Sequence, residues 1–179
     1  MYDRLMAEPL IRTATEADAP ALLDIYRPFV DSSAVSFEVV PPTVEEFAAR
    51  IAKAVGGWQW LVAVQDAQCI GYAYGSSYRE RQAYRWSTEV SAYVHPDCRR
   101  QGIGRALYLR LFDELAGKGY SNAYAGITLP NAGSVALHRS VGFEPVGVFK
   151  DVGYKFGKWH DVGWFQRKLR DTPPPEITS

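Results

Sequence analysis

The stretch Arg99-Arg100-Gln101-Gly102-Ile103-Gly104-Arg105 decides the fold prediction, because it stands between a strand pattern and a helix pattern. Before it, residues 86–94 alternate in the manner of a β-strand, which Pro96 stops. After it, apolar residues at helical spacing predict an amphipathic helix with the inner face Ile103, Ala106, Leu107, Leu111 and Leu115. Glycines at such a junction let the backbone approach an anion, which the free N–H groups of a helix N-terminus bind. The stretch therefore predicts an anion site at the end of a strand.

The same stretch excludes two common nucleotide sites. No Gly-Lys-Ser/Thr follows the glycines, so it is not a P-loop. The glycine spacing and the lack of an acid on a second parallel strand exclude a Rossmann fingerprint. Taken alone, these residues also fit a plain turn flanked by solvated arginines, and the two interpretations stay open at this point.

Composition limits the classes of protein to consider. The chain has 179 residues, of which 47% are hydrophobic and 22% charged, enough for one sizeable core. Its 20 Lys+Arg balance 20 Asp+Glu, so the basic footprint of a nucleic-acid-binding domain is missing and we expect no nucleic-acid partner. No stretch approaches the ~18–20 apolar residues that span a bilayer. We therefore expect no membrane partner either.

The cysteines and histidines point to a cytoplasmic protein without a metal. Cys69 and Cys98 have no C-x-x-C spacing, which argues against a disulfide framework and against a cysteine-based zinc site. The three histidines are dispersed, without ligand spacing on one element, so we expect no metal site: His95, His138 and His160.

Strand patterns outnumber helix patterns and do not alternate strictly with them, which predicts an α+β protein with a mixed sheet. We divide the chain into an N-terminal arm at 1–9, a single domain at 10–170 and a Pro-rich tail at 171–179. The patterns predict strands at 10–13, 60–65, 69–76, 86–94, 123–128, 143–150 and 162–169, and helices at 15–30, 43–54, from 102 onward and at 131–141. The last two strands bracket a Gly- and aromatic-rich excursion.

The order of these patterns resembles the GNAT family of N-acetyltransferases over roughly residues 10–169. The resemblance rests on the strand that ends in Tyr93-Val94, the R-x-x-G-x-G loop, Asn131-x-x-Ser134 and His138-x-x-x-Gly142-Phe143. It implies the GNAT fold, a mostly antiparallel central sheet with splayed parallel strands flanked by helices, and acetyl-CoA as cosubstrate. It further implies that the backbones of Ala92, Tyr93 and Val94 line the pantetheine arm, that the pyrophosphate binds at Arg99, Arg100, Gln101, Gly102, Ile103, Gly104 and Arg105, and that Asn131 and Ser134 also contact the cofactor.

Three further runs resemble the phosphinothricin and methionine sulfoximine acetyltransferases within that family. They are IRTATEAD at 11–18, WSTEVSAYV at 86–94 and WHDVG at 159–163, of which the last is the most specific. This resemblance implies direct acetyl transfer to the α-amino group of a glutamate- or glutamine-like molecule. It also implies a homodimer with the active site close to the interface.

Acetyl transfer to an amine needs a base, because a protonated amine cannot attack a thioester. Glu89 lies on the strand that leads to the cofactor loop and matches the base position of the resembled enzymes; an outward-facing carboxylate or an ion pair is the alternative. Coenzyme A leaves more easily if an acid protonates its sulfur, and His138 stands where many relatives have a tyrosine. A helix histidine hydrogen-bonded into the fold explains His138 equally well.

An amino-acid acceptor needs a cation for its carboxylate, and arginine suits bidentate pairing. Arg79 and Arg85 precede Glu89 in the segment that corresponds to a substrate loop, and Arg81 is a third choice; a solvated loop is the alternative. Phe37 follows a segment that resembles a substrate-side loop and could line the pocket or belong to the core.

Two other functions compete with this prediction. A GNAT enzyme could acetylate a polyamine, an antibiotic or a protein N-terminus, although the arginines before Glu89 favour an anionic acceptor. A non-catalytic acetyl-CoA-binding module would bind the cofactor without turning over any amine.

Overall fold

The computed structural model describes residues 8–172, in which one seven-stranded sheet is flanked by four α-helices. The strands are β1 (Leu10–Thr13), β2 (Trp60–Gln65), β3 (Gln68–Ser77), β4 (Ser87–Val94), β5 (Asn122–Leu129), β6 (Glu144–Lys155) and β7 (Lys158–Lys168). The helices are α1 (Ala19–Asp31), α2 (Val44–Gly57), α3 (Ile103–Gly117) and α4 (Ala132–Ser140). The strand order is β1-β2-β3-β4-β5-β7-β6, antiparallel except for the pair β4 and β5. The predicted α+β class with a mixed sheet is confirmed.

Two apolar clusters cover the two faces of the sheet. The first packs α3 against β2, β3, β4 and β5, and it includes the fully buried Leu107, Leu111 and Leu115 that the helix pattern predicted. The second packs α1 and α2 against the opposite face around Leu22 and Phe47. Successive side chains of a strand point to opposite faces, so β4 contributes to both clusters.

The parallel pair of strands separates soon after it forms. β4 pairs with β3 along its length, but it pairs with β5 only from Ser87↔Asn122 to Glu89↔Tyr124. On its other edge, β5 pairs with β7 along its whole length, from Asn122↔Lys168 to Leu129↔Asp161. The edge of β4 that faces β5 is therefore left without a strand partner in residues 90–94, which is the splayed arrangement that the resemblance implied.

The Gly- and aromatic-rich excursion predicted between the last two strands is itself part of both strands, with a register shift between Phe149 and Gly153. β6 and β7 form one long hairpin whose register includes Gly153↔His160 and Tyr154↔Trp159, with a tight turn at Phe156 and Gly157. Both turn residues have positive φ angles, 52° and 74°. Cross-strand pairing with His160 keeps Gly153 in the strand, although glycine has a weak strand propensity.

Helix α2 also runs further than predicted, because the two glycines at 56–57 form its last turn. Among residues 8–172, no helix is both long and apolar enough to cross a bilayer. Residues 1–7 of the predicted arm and 173–179 of the predicted tail lie outside the described residues. The division at 1–9, 10–170 and 171–179 stays a prediction.

Candidate functional site

The N-terminus of α3 is an open end with several hydrogen-bond donors. Gly102 precedes the helix with a φ angle of +79°, and a Cβ placed there would meet no atom within 4 Å. The backbone N–H of Ala106 donates to the Gly102 carbonyl at 3.0 Å. The N–H groups of the three residues before Ala106 have no acceptor within the helix and point out of its end. Arg99, Arg100 and Arg105 are exposed around it, so the site suits a phosphate group.

Gly104 brings α4 close to this helix end. A Cβ on Gly104 would lie 3.0 Å from Cδ2 of Leu137, so even an alanine would require the Leu137 side chain to shift. Asn131 begins α4, and its Oδ1 accepts a hydrogen bond from the Ser134 N–H at 3.1 Å. The structure thus places Asn131 and Ser134 together at the start of α4, with the Asn131 oxygen already used as a helix cap.

The unpartnered segment of β4 is held in place through its side chains. Ala92 and Val94 pack against the cluster around α3, while Tyr93 packs against Tyr26 and Phe29 on the opposite face, with ring centroids 5.1 Å from each. Both faces of the strand are therefore occupied. What remains free is the backbone edge toward β5, the edge to which an extended chain of amides could bind.

Glu89 lies at the last paired position before the strands separate. Its neighbours across the two ladders are Ser76 on β3 and Tyr124 on β5. Burial raises the pKa of Glu89, and the positive charge of Arg79 opposes part of that rise. A carboxyl group with a raised pKa titrates closer to neutral pH, which suits a general base.

The structure separates the three predicted substrate arginines. The Arg79 guanidinium lies 5.2 Å from the centroid of the Tyr78 ring, and Tyr78 stacks on Tyr124 beside Glu89 with centroids 4.4 Å apart. The Arg85 guanidinium instead lies 5.5 Å from the ring of Trp86. Arg81 is exposed and begins a short 3-10 turn. Of the three arginines, Arg79 is the one whose charge lowers the pKa of Glu89.

The loop at 32–38 brings Phe37 toward the β6–β7 hairpin. The Phe37 ring packs directly on the backbone of Gly153 and lies 6.1 Å from the His160 ring. With 40% of its surface exposed, Phe37 covers the hairpin from outside and does not belong to the buried core. Its place on a substrate pocket stays a prediction.

Sequence reasoning missed several polar residues beside this loop. The Tyr26 hydroxyl donates to a Glu38 carboxylate oxygen at 2.7 Å and lies 2.6 Å from the Ser36 hydroxyl. The Arg50 guanidinium donates to the other Glu38 oxygen at 2.6 Å. Burial raises the pKa of Tyr74, and the carboxylates of Glu89 and Glu38 raise it further. Tyr26 and Arg50, which bind Glu38, line the same cleft between α2 and β3 as Ser76, which pairs with Glu89. No local motif in the sequence connects these residues.

His138 is buried and its ring nitrogens are both engaged. Nδ1 lies 2.7 Å from the Ser134 carbonyl oxygen, so Nδ1–H donates there, and Nε2 lies 3.0 Å from the Tyr108 hydroxyl. Burial lowers the pKa of His138, against the opposing effect of the Ser134 carbonyl. His138 is only 5% exposed and is surrounded by aromatic rings. This geometry favours a helix histidine hydrogen-bonded into the fold over the predicted role as an acid.

A cleft of about 310 Å³ lies between α2 and β3. It ends at Ser76 and Ser77, which pair with Glu89 and Thr88. Its walls are mostly aromatic, with two cations: Tyr26, Phe47, Arg50, Lys53, Ala54, Trp58, Trp60, Tyr72 and Tyr74. No group of three or more His, Cys, Asp or Glu side chains within residues 8–172 could hold a metal ion.

Comparisons with known proteins identify the family. A family model described as "Acetyltransferase (GNAT) domain" matches residues 11–164. Phosphinothricin N-acetyltransferase from Alcaligenes faecalis is 41% identical over 170 residues, which cover 93% of this chain and 86% of the relative. L-methionine sulfoximine/L-methionine sulfone acetyltransferase from Salmonella typhimurium is 34% identical over 167 residues, 93% of this chain and 98% of the relative.

A solved structure is similar over nearly the whole chain. It is a GNAT superfamily phosphinothricin acetyltransferase from Sinorhizobium meliloti in complex with acetyl-CoA. Its TM-score is 0.89 at 37% sequence identity, and the match covers 94% of each chain.

Proposed function

Because this chain belongs to the GNAT acetyltransferase family, we propose that it acetylates the α-amino group of a glutamate- or glutamine-like amino acid, such as phosphinothricin or methionine sulfoximine. The names of the relatives support this acceptor class. The observation that carries the proposal is that Arg79 lies over the Tyr78 ring, which stacks on Tyr124, the neighbour of Glu89 on β5 where the two parallel strands separate. A cation for the acceptor's carboxylate and a base for its amine are thus close together.

The predicted family, fold and enzyme class are confirmed by the family model and by relatives named N-acetyltransferases over most of the chain. Acetyl-CoA as the cosubstrate is also confirmed, since a structure with the same fold contains it. The residues of this chain fit it at two places. The exposed donors at the start of α3 suit the pyrophosphate, and the free backbone edge of β4 suits the amides of the pantetheine arm.

In the proposed reaction Glu89 takes up the proton that the acceptor's amino group gives up. Arg79 pairs with the acceptor's carboxylate and orients the amine toward the end of the free edge of β4. A bond forms between the amine nitrogen and the acetyl carbon, and the carbon–sulfur bond breaks with its electron pair on sulfur. The second proton of the nitrogen passes to this sulfur, so that coenzyme A leaves as the thiol. A backbone N–H near Val94 polarises the thioester carbonyl as negative charge develops on its oxygen.

Thiol release that depends on acetyl-CoA tests this function directly. The amine panel contains phosphinothricin, methionine sulfoximine, glutamate, a polyamine, an aminoglycoside and a peptide. We expect saturable turnover confined to the first two compounds. Turnover with only the polyamine, aminoglycoside or peptide would overturn the acceptor class, and acetyl-CoA binding without turnover of any amine would favour a binding module.

We also propose that two copies of the chain associate through the β6–β7 hairpin. Seven large side chains on this hairpin are between 46% and 60% exposed: Val146, Val148, Phe149, Val152, Tyr154, Phe156 and Trp159. Strand β6 stands at the end of the sheet, so a second copy could cover both its edge and its apolar side chains. A shared interface at this hairpin would lie beside Phe37, close to the proposed acceptor site.

Sedimentation equilibrium checks the association. We expect twice the chain mass of 20.0 kDa for the wild type and for Val39→Glu, a matched control in which the exposed valine lies outside the hairpin. Val148→Glu should shift the mass toward one copy. A monomeric wild type would overturn this proposal.

The cytoplasm is the proposed compartment, and nucleic acids and membranes are not proposed as partners. Cys69 and Cys98 are both free thiols, which suits a reducing compartment. The formal charge of zero gives no general attraction to polyanions. Cell fractionation checks the location, and a filter-binding assay with duplex DNA checks the expected lack of affinity.

A further inference from the structure

Lys155 is a buried cation at the end of β6 to which the proposed reaction gives no part. It is 5% exposed, and its ammonium donates to three backbone carbonyls: Val30 at 2.7 Å, Ser33 at 2.8 Å and Ser36 at 2.7 Å. An ammonium group has three N–H donors, so each of them is used. Charge-assisted hydrogen bonds of this kind are about twice as strong as neutral ones.

The three carbonyls belong to the end of α1 and to the loop that follows it. The last carbonyls of a helix have no partner inside it and carry partial negative charge, which a cation stabilises. One side chain therefore holds the helix end and two points of the loop at 32–38. Its own backbone is fixed as well, because the Lys155 carbonyl oxygen lies 3.0 Å from Nε2 of His160 on β7.

The loop held by Lys155 carries side chains to the acceptor side of the site. Phe37 packs on Gly153, two positions before Lys155 on the same strand. Glu38 accepts hydrogen bonds from Tyr26 and Arg50, which line the cleft that ends at Ser76, the β3 partner of Glu89. A shift of this loop would therefore move the Phe37 ring and the Glu38 carboxylate relative to this cleft.

We propose that Lys155 is a positioning residue that holds the loop at 32–38, and with it Phe37 and Glu38, against the acceptor side of Glu89. This inference rests on the proposed function, in which that side binds the amine substrate. The geometry favours lysine over arginine at this position. The three carbonyls surround a compact ammonium, whereas a planar guanidinium presents its donors in a rigid fork.

Hydrogen exchange tests the contact without any turnover. In Lys155→Met we expect the amides of the loop to exchange at least about tenfold faster, while the amides of the sheet keep their protection. Lys150→Met is the matched control, because Lys150 lies on the same strand but is exposed and bonds only to Asp161 at 2.6 Å. Lys155→Gln replaces Lys155→Met if the latter does not fold. Unchanged exchange of the loop in a folded variant would overturn the inference.

Steady-state kinetics test the consequence for the substrate. We expect the KM of the acceptor to rise about tenfold in Lys155→Met or Lys155→Gln, with the KM of acetyl-CoA unchanged, because only the acceptor side moves. Phe37→Leu should raise the acceptor KM in the wild type but add little in the Lys155 variant.

Three outcomes separate the two proposals. An inactive wild type with faster loop exchange in Lys155→Met contradicts the proposed function and keeps the loop contact. An active wild type whose acceptor KM is unchanged in the Lys155 variant contradicts the positioning role. Equal increases of both KM values contradict it too, since they indicate general structural damage.

Discussion

The two halves of the proposed site are built in different ways. The half that suits acetyl-CoA is nearly continuous in the chain, from Ala92 to Arg105, and consists mainly of backbone groups on a strand edge and a helix end. The half proposed for the acceptor consists of side chains from distant segments, among them Phe37, Arg79 and Glu89. A backbone site can be read from glycines and local pattern. A site made of side chains exists only where the fold brings them together.

Glu89→Gln should damage the acceptor half alone and give the largest effect. Loss of a general base lowers kcat/KM by about 10²- to 10⁴-fold, measured by thiol release at saturating acetyl-CoA. The Kd of acetyl-CoA, measured by calorimetry, should not change. Glu45→Gln, an exposed acid in the first turn of α2, serves as control and should keep full activity. Normal turnover in Glu89→Gln would remove Glu89 from the mechanism.

Arg79→Gln should weaken the acceptor and shift the pH profile. Removing a charged partner of a carboxylate raises the acceptor KM by about 10- to 100-fold. The base must be ionised, so kcat/KM rises with pH through the pKa of Glu89. Burial raises that pKa and Arg79 lowers it, so removal of Arg79 should move the acid limb to higher pH.

Arg81→Gln is the control for this variant, because Arg81 lies in the same exposed segment without an effect on the pKa of Glu89. Its pH profile should match that of the wild type. If both variants shift the acid limb of the pH profile equally, the shift comes from the total charge of the segment. That result would contradict a specific effect of Arg79 on Glu89.

Gly102→Ala should damage the cofactor half alone. The added methyl group has open space, but alanine in the left-handed region costs about 1–2 kcal/mol, so relaxation of the loop should weaken acetyl-CoA binding about tenfold. The acceptor KM should stay the same. Gly56→Ala is a matched control, since its methyl group also meets nothing within 4 Å and its φ angle is ordinary. Equal Kd values for both variants would contradict the assignment of this helix end.

His138→Gln should change stability more than catalysis. Two buried hydrogen bonds are disturbed, so the free energy of unfolding should fall by about 1–3 kcal/mol in urea denaturation. We expect kcat to fall by less than about threefold, because the ring has no free nitrogen for the reaction. Tyr108→Phe, which removes one of the same bonds, should lower stability in the same direction. A large loss of kcat in His138→Gln alone would restore the acid role.

Local sequence patterns predicted the structure correctly where it depends on residues of one short segment. The capping box of Thr43 and Glu46 begins α2 where it was predicted, with the two reciprocal bonds at 2.8 and 3.2 Å. The loop before α3 likewise has Gly102 in the left-handed conformation that only glycine adopts easily. In the β6–β7 hairpin, by contrast, pairing between the strands extended the structure through Gly153, although glycine itself has a weak strand propensity.

By itself, the sequence determined the family and the α+β sheet and predicted an anion site at a helix end, because each inference depends on periodicity, on glycine positions or on a continuous motif. Only the tertiary structure decided that Arg79 packs on Tyr78, which stacks on the Tyr124 neighbour of Glu89, while Arg85 lies over Trp86, and that both nitrogens of His138 are engaged. It alone placed Lys155 beneath a loop more than a hundred residues away in the chain. The burial, the contacts and the pKa of a side chain depend on residues that are distant in the sequence and close in the fold. A local sequence pattern does not contain that information.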